Sequence, residues 1–178
     1  MDRLKPGDVL THCYHGKACG LVDEQYQILP EIRRKLETGI LLDVGHGFSS
    51  FDFRVAKSLL QQGILPDFIS SDLHSYNLNG PVFDLVTTMD KFLHLGMSLP
   101  EVIRRTTETP ARFLGRAGQL GTLKPTAIAD ITVLDLQHGQ FSLVDSEGAM
   151  EIGNQHLEPR LVFRAGRQVT VLPQASPL

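Results

Sequence analysis

The chain has 178 residues, of which 42% are hydrophobic and 21% are charged, a composition typical of one globular domain or a little more. Its net charge of -3 argues against a nucleic-acid partner, and no apolar run is long enough to span a membrane. Two cysteines exclude a disulfide scaffold, and the start of the chain lacks the apolar stretch of a signal peptide, so we expect a cytoplasmic protein.

The first part of the chain alternates short apolar strands with helical segments. Strands are predicted at 7–12, 40–47 and 66–74, with the sequences GDVLTH, ILLDVGHG and PDFISSDLH. Apolar residues at helical spacing predict helices within the segments 21–39, 50–63, 84–96 and 98–115. This alternation predicts a parallel sheet with crossover helices.

After about residue 118 the predicted elements change from alternating strands and helices to strands alone. The segments ADITVLDL, GQFSLVD and PRLVFRAGRQVTVL are short alternating strands separated by turn residues, and no further amphipathic helix follows them. We therefore predict two units, an α/β unit at 1–117 and a small β unit at 118–178.

Each of the three predicted parallel strands ends in a side chain that can bind a metal ion. His12 and His15 follow the first strand, His46 follows the second, and Asp72 and His74 follow the third. In a parallel sheet or barrel the carboxyl ends of the strands lie on one side, so these side chains would converge. Neutral imidazole and carboxylate are the usual ligands of a catalytic zinc-type ion.

Each of these residues also has an ordinary structural explanation. A single histidine such as His12 is more often a hydrogen-bonded structural residue than a ligand, and the glycines beside His46 also suit a tight turn. Asp72 follows two serines and can cap a turn or a helix. His15 and His74 lie beyond the strand ends and are typical of loops. The joint pattern therefore favours only His12, His46 and Asp72 as site residues.

Several segments together resemble a known family. The motifs GDVLTHCYHG, LLDVGHG and PDFISSDLH, followed by LPEVIRRTTETPARFLG and LGTLKPTAIADITVLDL, are similar to the last part of the amidohydrolase superfamily, in its deacetylase and dihydroorotase-like branch. The resemblance covers nearly the whole chain. It implies an α/β fold, namely the C-terminal part of a metal-dependent (β/α)8 TIM barrel, about strands 6 to 8, followed by part of a small β-sandwich.

The resemblance also implies roles for individual residues. His12 matches a metal-ligand histidine, and Asp72 matches the catalytic aspartate that binds metal and takes the proton of the attacking water. His46 and His74 would contact the substrate, or would hold the metal-binding side chains in position without binding the metal themselves. The implied reaction is hydrolysis of a carbon–nitrogen bond in a small-molecule amide or cyclic amide by metal-activated water, with one or two divalent ions, most often zinc.

Some residues that the family requires are absent from this sequence. The His-x-His pair of the family's first strand, the lysine of the fourth and the histidine of the fifth have no counterpart in the 178 residues. The chain is therefore expected to correspond to roughly the second half of such an enzyme and to be inactive alone. Its expected partner is the missing N-terminal half or another chain, or a second copy in a homo-oligomer. The alternative hypothesis is a non-catalytic binding or assembly module that retains parts of a barrel.

Overall fold

A computed structural model describes residues 3–170 of the protein as a mixed α/β chain. The strands are β1 (Val9–Leu10), β2 (Leu41–Leu42), β3 (Ile131–Val144), β4 (Met150–Arg164) and β5 (Arg167–Val169). The helices are α1 (Pro30–Glu37), α2 (Phe53–Gln61), α3 (Leu85–His94), α4 (Leu99–Thr106) and α5 (Glu108–Phe113). Within the described range, no helix combines the length and the apolar character needed to cross a lipid bilayer.

β1 and β2 lie side by side as a parallel pair, as the sequence predicts. The register places Leu10 opposite Leu42. The predicted third strand is present only as an extended segment, which one parallel bridge, from Asp43 to Phe68, joins to the residues after β2. Ile69 N, the next amide, points away from this pairing and donates to the Arg105 carbonyl of α4 at 3.2 Å.

The first predicted helix is shorter than its sequence pattern suggests. We predict helical structure within 21–39, but α1 begins only at Pro30. The residues before it form a turn, in which the Asp23 carboxylate accepts hydrogen bonds from Gln25 N and Gln27 N at 2.9 and 2.8 Å. A short polar side chain that binds the nearby backbone in this way competes with helix formation.

The remaining helices follow the predicted segments, and their first turns explain where they begin. The Asp52 carboxylate accepts from Arg54 N at 2.8 Å at the start of α2, and Asp84 accepts from Thr87 N at 2.6 Å at the start of α3. Each cap satisfies an amide that has no partner within its helix. The last predicted helical segment is divided into α4 and α5 at Thr107, whose backbone is not helical.

A long antiparallel hairpin follows the helices, in the region where the sequence predicts a β unit. β3 and β4 are 14 and 15 residues long, and β5 adds a short strand beside β4. We predict shorter strands with an interruption before Gly139, but β3 continues through that point with only a register shift between His138 and Phe141. The end of the last predicted strand, at 171–172, lies outside the described residues.

The hairpin packs against α2 and α3 through buried polar contacts. At its tip, the Asp145 carboxylate accepts a hydrogen bond from Phe53 N at 3.1 Å, in the first turn of α2. Along β4, the buried Asp90 carboxylate of α3 lies 2.7 Å from His156 Nδ1 and accepts from Leu157 N at 2.9 Å. These contacts fix the β unit against the two helices that support the candidate site.

An aromatic cluster forms the centre of the hydrophobic core. Tyr14, Phe51, Phe53 and Phe92 are each at most 1% exposed. Phe51 packs edge-on against Phe53 and Phe92, with ring centroids 5.5 and 5.7 Å apart. Close packing of large rings allows little movement, so the loop that leads from β2 into Phe51 is held at its far end.

Candidate functional site

The loop after β2, Gly45–His46–Gly47, lies at the centre of the candidate site. It runs beside the third extended segment, because His46 N donates to the Ser70 carbonyl and Gly47 N to the Ser71 carbonyl, at 3.1 and 3.0 Å. Gly45 and Gly47 have φ values of +46° and +54°. This left-handed backbone favours glycine, and the missing side chains leave room for groups from neighbouring segments.

His12 packs against the first glycine of this loop. Its Nδ1 lies 2.6 Å from the Gly45 carbonyl oxygen, which can only accept a hydrogen bond. Nδ1 therefore carries the proton, and neutral His12 presents an unprotonated Nε2. The φ of His12 is 59°, an uncommon value for a residue with a side chain, and such strained positions are frequent at functional sites.

Asp72 lies against the second glycine of the same loop. A Cβ placed at Gly47 would be 2.9 Å from Asp72 Oδ2. Asp72 is exposed and has a φ of 47°, and its backbone carbonyl accepts from Asn77 Nδ2 at 2.9 Å. Within residues 3–170, no hydrogen bond to its carboxylate is present. His12 and Asp72 thus lie against the same loop, at Gly45 and Gly47, which are two residues apart.

His46 lies between these two contacts, but its side chain is fully buried. Nδ1 lies 2.9 Å from the Gly47 carbonyl oxygen, and Nε2 lies 2.7 Å from Lys91 Nζ. The imidazole also stacks on Phe51, with centroids 4.7 Å apart. Both ring nitrogens therefore bind groups of the protein, which favours support of the loop over direct contact with a substrate.

The protonation of this buried pair follows from its burial. Burial, and then the neighbouring Lys91, lowers the pKa of His46 to about 3, and burial lowers the pKa of Lys91 to about 7. Lys91 Nζ also donates to the Pro81 carbonyl at 2.7 Å. Neutral His46 donates through Nδ1 and accepts from Lys91 through Nε2, in agreement with the contacts.

The free energy of unfolding is expected to rise with pH through this pair. Both pKa values are lower in the folded state, so the unfolded chain binds more protons between about pH 3 and 6.5 for His46, and between about pH 7 and 10.5 for Lys91. Each fully titrating group contributes up to about 1.4 kcal/mol per pH unit. Urea unfolding at about pH 5, 7 and 9 measures this effect. Lys91→Met should flatten the upper range, and an unchanged slope there would contradict the expectation.

His74 and His15 lie in tight turns. His74 Nδ1 accepts from Tyr76 N, and His15 Nδ1 accepts from Lys17 N, both at 3.2 Å. In the neutral rings the proton is then on Nε2. Neither arrangement tests the substrate contact expected of His74, which stays a prediction.

The donor chemistry at the loop fits part of a metal site. An unprotonated imidazole nitrogen and a carboxylate are ligands that zinc and similar ions accept. In the described part of the chain, however, no three His, Cys, Asp or Glu side chains lie together as a group that could hold a metal ion. A catalytic zinc site uses three protein ligands, so His12 and Asp72 would form only part of a ligand set.

Two groups that support this loop, Lys91 and Asp43, are not predicted from the sequence. Lys91 is fully buried beside His46, and its signal is a charged residue inside the apolar run of α3. Asp43 is hydrogen-bonded to Thr11 and to Ser70. A shared sequence position could have indicated the network of Thr11, Asp43 and Ser70. Each of them directly follows an apolar residue of a strand or extended segment.

Comparisons with known proteins give matches over nearly the whole chain. Residues 12–169 match the amidohydrolase family. A deacetylase from Brucella anthropi is 36% identical over 181 residues, covering 100% of this chain and 45% of the relative. An adenine deaminase crystal structure matches with a TM-score of 0.90 and 35% identity, covering 94% of this chain and 46% of that one. A dihydroorotase crystal structure matches with a TM-score of 0.83 and 36% identity, covering 98% and 44%.

The matches also define how much of a relative this chain represents. It spans between 39% and 45% of the length of the curated relatives that it matches, all of which are named deacetylases. The family match includes His12, the Gly45–His46–Gly47 loop and Asp72. By family match, sequence identity and structural similarity together, the chain belongs to the amidohydrolase family.

Proposed function

We propose that this chain is the C-terminal part of a metal-dependent amidohydrolase that hydrolyses a carbon–nitrogen bond in an amide or cyclic amide. The observation that carries the proposal is the approach of His12 and Asp72 to one loop, with the His12 Nε2 unprotonated. The relatives are named deacetylase, adenine deaminase and dihydroorotase, and the last two names denote chemistry at a carbon–nitrogen bond. A small-molecule amide is therefore the proposed substrate class.

The fold is compatible with three strands of a (β/α)8 barrel. We assign β1, β2 and the extended segment at 67–71 to about its sixth, seventh and eighth strands, and β3 to β5 to part of a β-sandwich. Among the described strands, β1 pairs only with β2, so its other edge offers unpaired backbone groups. On the hairpin, Met150 and Ile152 are 63% and 56% exposed. Both features are expected of a unit whose covering half lies elsewhere.

The proposed metal ligands are His12, through Nε2, and Asp72, through its carboxylate, with zinc as the proposed ion. A bound divalent ion would supply Lewis-acid activation of water. Asp72 would accept the proton of that water and return it to the leaving nitrogen. His46 would hold the loop from the core side, and His74, two residues after Asp72, would contact the substrate.

The remaining metal ligands would come from the proposed N-terminal half, whether it belongs to the same polypeptide or to a separate one. His12 lines a cavity of about 630 Å³ together with Leu10 and Thr11. The other edge of β1 has no partner among the described strands. A strand that paired with this edge would lie beside His12 and could bring its own ligands to the same ion. The same edge also explains why we propose self-association when that half is absent.

Complementation is the test of this proposal. The isolated chain is expected to self-associate and to show no measurable hydrolysis of N-acyl amino acids or cyclic amides, because two ligands hold an ion weakly. Co-expression with an upstream segment that carries a His-x-His strand is expected to restore solubility and metal-dependent turnover. Size-exclusion chromatography and an amidase assay, each with and without that segment, measure both effects. A stable and active monomer of this chain alone would contradict the proposal.

The second candidate function is a non-catalytic binding or assembly module. The lack of a three-ligand cluster within residues 3–170 favours it. The same complementation experiment separates the two functions. A soluble complex with added zinc but without turnover would support the module, whereas metal-dependent turnover would exclude it.

A further inference from the structure

Asp43 joins three neighbouring segments of the site. Its carboxylate accepts hydrogen bonds from Thr11 Oγ1 at 2.6 Å and from Ser70 Oγ at 2.7 Å. Thr11 directly follows β1, Asp43 directly follows β2, and Ser70 lies in the third extended segment. An ionised carboxylate can only accept hydrogen bonds, so the hydroxyl groups of Thr11 and Ser70 are both fixed as donors.

Ser70 transmits this fixed direction to the loop after β2. A hydroxyl group has one proton, and the proton of Ser70 is directed to Asp43. The Ser70 oxygen is therefore left to accept, and Gly45 N donates to it at 2.9 Å. If the Ser70 hydroxyl were reversed, two donors would face each other. Asp43 thus fixes the direction of the hydrogen bond that holds the Gly45 amide.

Gly45 connects this network to His12. Its amide donates to Ser70, and its carbonyl oxygen lies 2.6 Å from His12 Nδ1. A Cβ placed at Gly45 would lie 2.4 Å from Thr11 Oγ1, so the loop is enclosed on this side as well. The position of the Gly45 carbonyl determines which nitrogen of His12 carries the proton.

We infer that Asp43 is a positioning residue for His12: through Ser70 and Gly45 it holds the imidazole in the tautomer whose Nε2 is unprotonated. The inference rests on the proposed function only in that this Nε2 would then bind a metal ion. Groups that orient a metal-binding histidine are worth about 10–100-fold in metal affinity. The hydrogen bonds of Asp43 lead to His12 through Ser70 and Gly45, so its effect would act through His12.

NMR of ¹⁵N-histidine-labelled protein at about pH 8 reads the tautomer directly, without metal or substrate. The chain has seven histidines, and the His12 signals are identified by their loss in His12→Gln. We expect an unprotonated Nε2 in the unaltered protein. In Asp43→Asn, an NH₂ group replaces one of the two oxygens that accept from Thr11 and Ser70. The Ser70 hydroxyl is then no longer held in one direction, so we expect a mixture of His12 tautomers. Binding of zinc alone should weaken by about 10–100-fold in the same variant.

Three further variants keep the inference testable. Asp67→Asn is the matched control, because Asp67 also lies beside β2. Within residues 3–170 its carboxylate accepts from Leu42 N alone, at 2.8 Å, and an asparagine carbonyl can replace that acceptor. Ser70→Ala removes the hydroxyl group and Ser70→Thr retains it, so this pair decides the outcome if Asp43→Asn does not fold.

A changed His12 tautomer in Asp43→Asn and in Ser70→Ala, with an unchanged tautomer in Asp67→Asn and in Ser70→Thr, supports the inference. An unchanged tautomer in both Asp43→Asn and Ser70→Ala overturns it. Failure of the proposed function is distinguishable from failure of this inference. In that case the unaltered protein, complemented with the upstream segment, would show no hydrolysis, whatever the tautomer of His12.

Discussion

In the protein assembled with the proposed N-terminal half, Asp72→Asn is expected to lower the turnover number for amide hydrolysis by ~10²–10⁴-fold. The substitution keeps the size and shape of the side chain but removes the carboxylate that would accept the proton of water. Asp72 is exposed, and its described neighbours, within residues 3–170, hold its backbone and not its carboxylate. The fold should therefore be unaffected, and an amidase assay with circular dichroism measures both results.

The control for this variant, Asp67, lies at the start of the extended segment that leads to Asp72. Asp67→Asn removes a negative charge close to β2, where Asp67 accepts from Leu42 N at 2.8 Å, and it should leave turnover within a few-fold of the unaltered enzyme. Near-normal turnover in Asp72→Asn would remove Asp72 from the mechanism. An equal loss in both variants would indicate a general effect on the fold.

Gly45→Ala is expected to remove most of the metal binding of the assembled protein. The new Cβ would lie 2.4 Å from Thr11 Oγ1 and 2.8 Å from His12 Nδ1, distances shorter than atoms tolerate without movement. The His12 ring or the loop must then shift and weaken the binding of metal, and a displacement of about 1 Å at a site can lower the reaction rate by about 10²-fold. Metal analysis after dialysis, followed by the amidase assay, should show both losses.

Gly63→Ala is the matched control for this steric effect. Gly63 has a similar left-handed φ of +76°, but a Cβ there would meet no heavy atom within 4 Å. Both alanine variants carry a backbone strain of about 1–2 kcal/mol, whereas only Gly45→Ala displaces His12. If the two variants retained equal amounts of metal, strain would account for the result and the contact with His12 would not matter.

Local patterns in the sequence predict much of the regular structure. Apolar spacing predicts helices that match α2 and α3. In the structure their caps, Asp52 and Asp84, act on amides only a few residues away. The same local logic fails before Pro30, where Asp23 binds nearby amides and forms a turn. The positions of His12 and Asp72 at strand ends are also visible in sequence, because parallel strands bring their carboxyl ends together.

The sequence by itself determined the family, the order of most elements and the two residues that approach one loop. Only the tertiary structure decided that His46 is buried and supports the loop, because its partner Lys91 is 45 residues away and no local pattern predicts that pairing. The network from Asp43 to His12 was likewise decided by tertiary contacts, since Asp43 lies 32 residues from Thr11 and 27 from Ser70. At His12 the left-handed φ of 59° breaks the alternation of a strand, so the direction of its side chain depends on packing against Gly45 and not on sequence position.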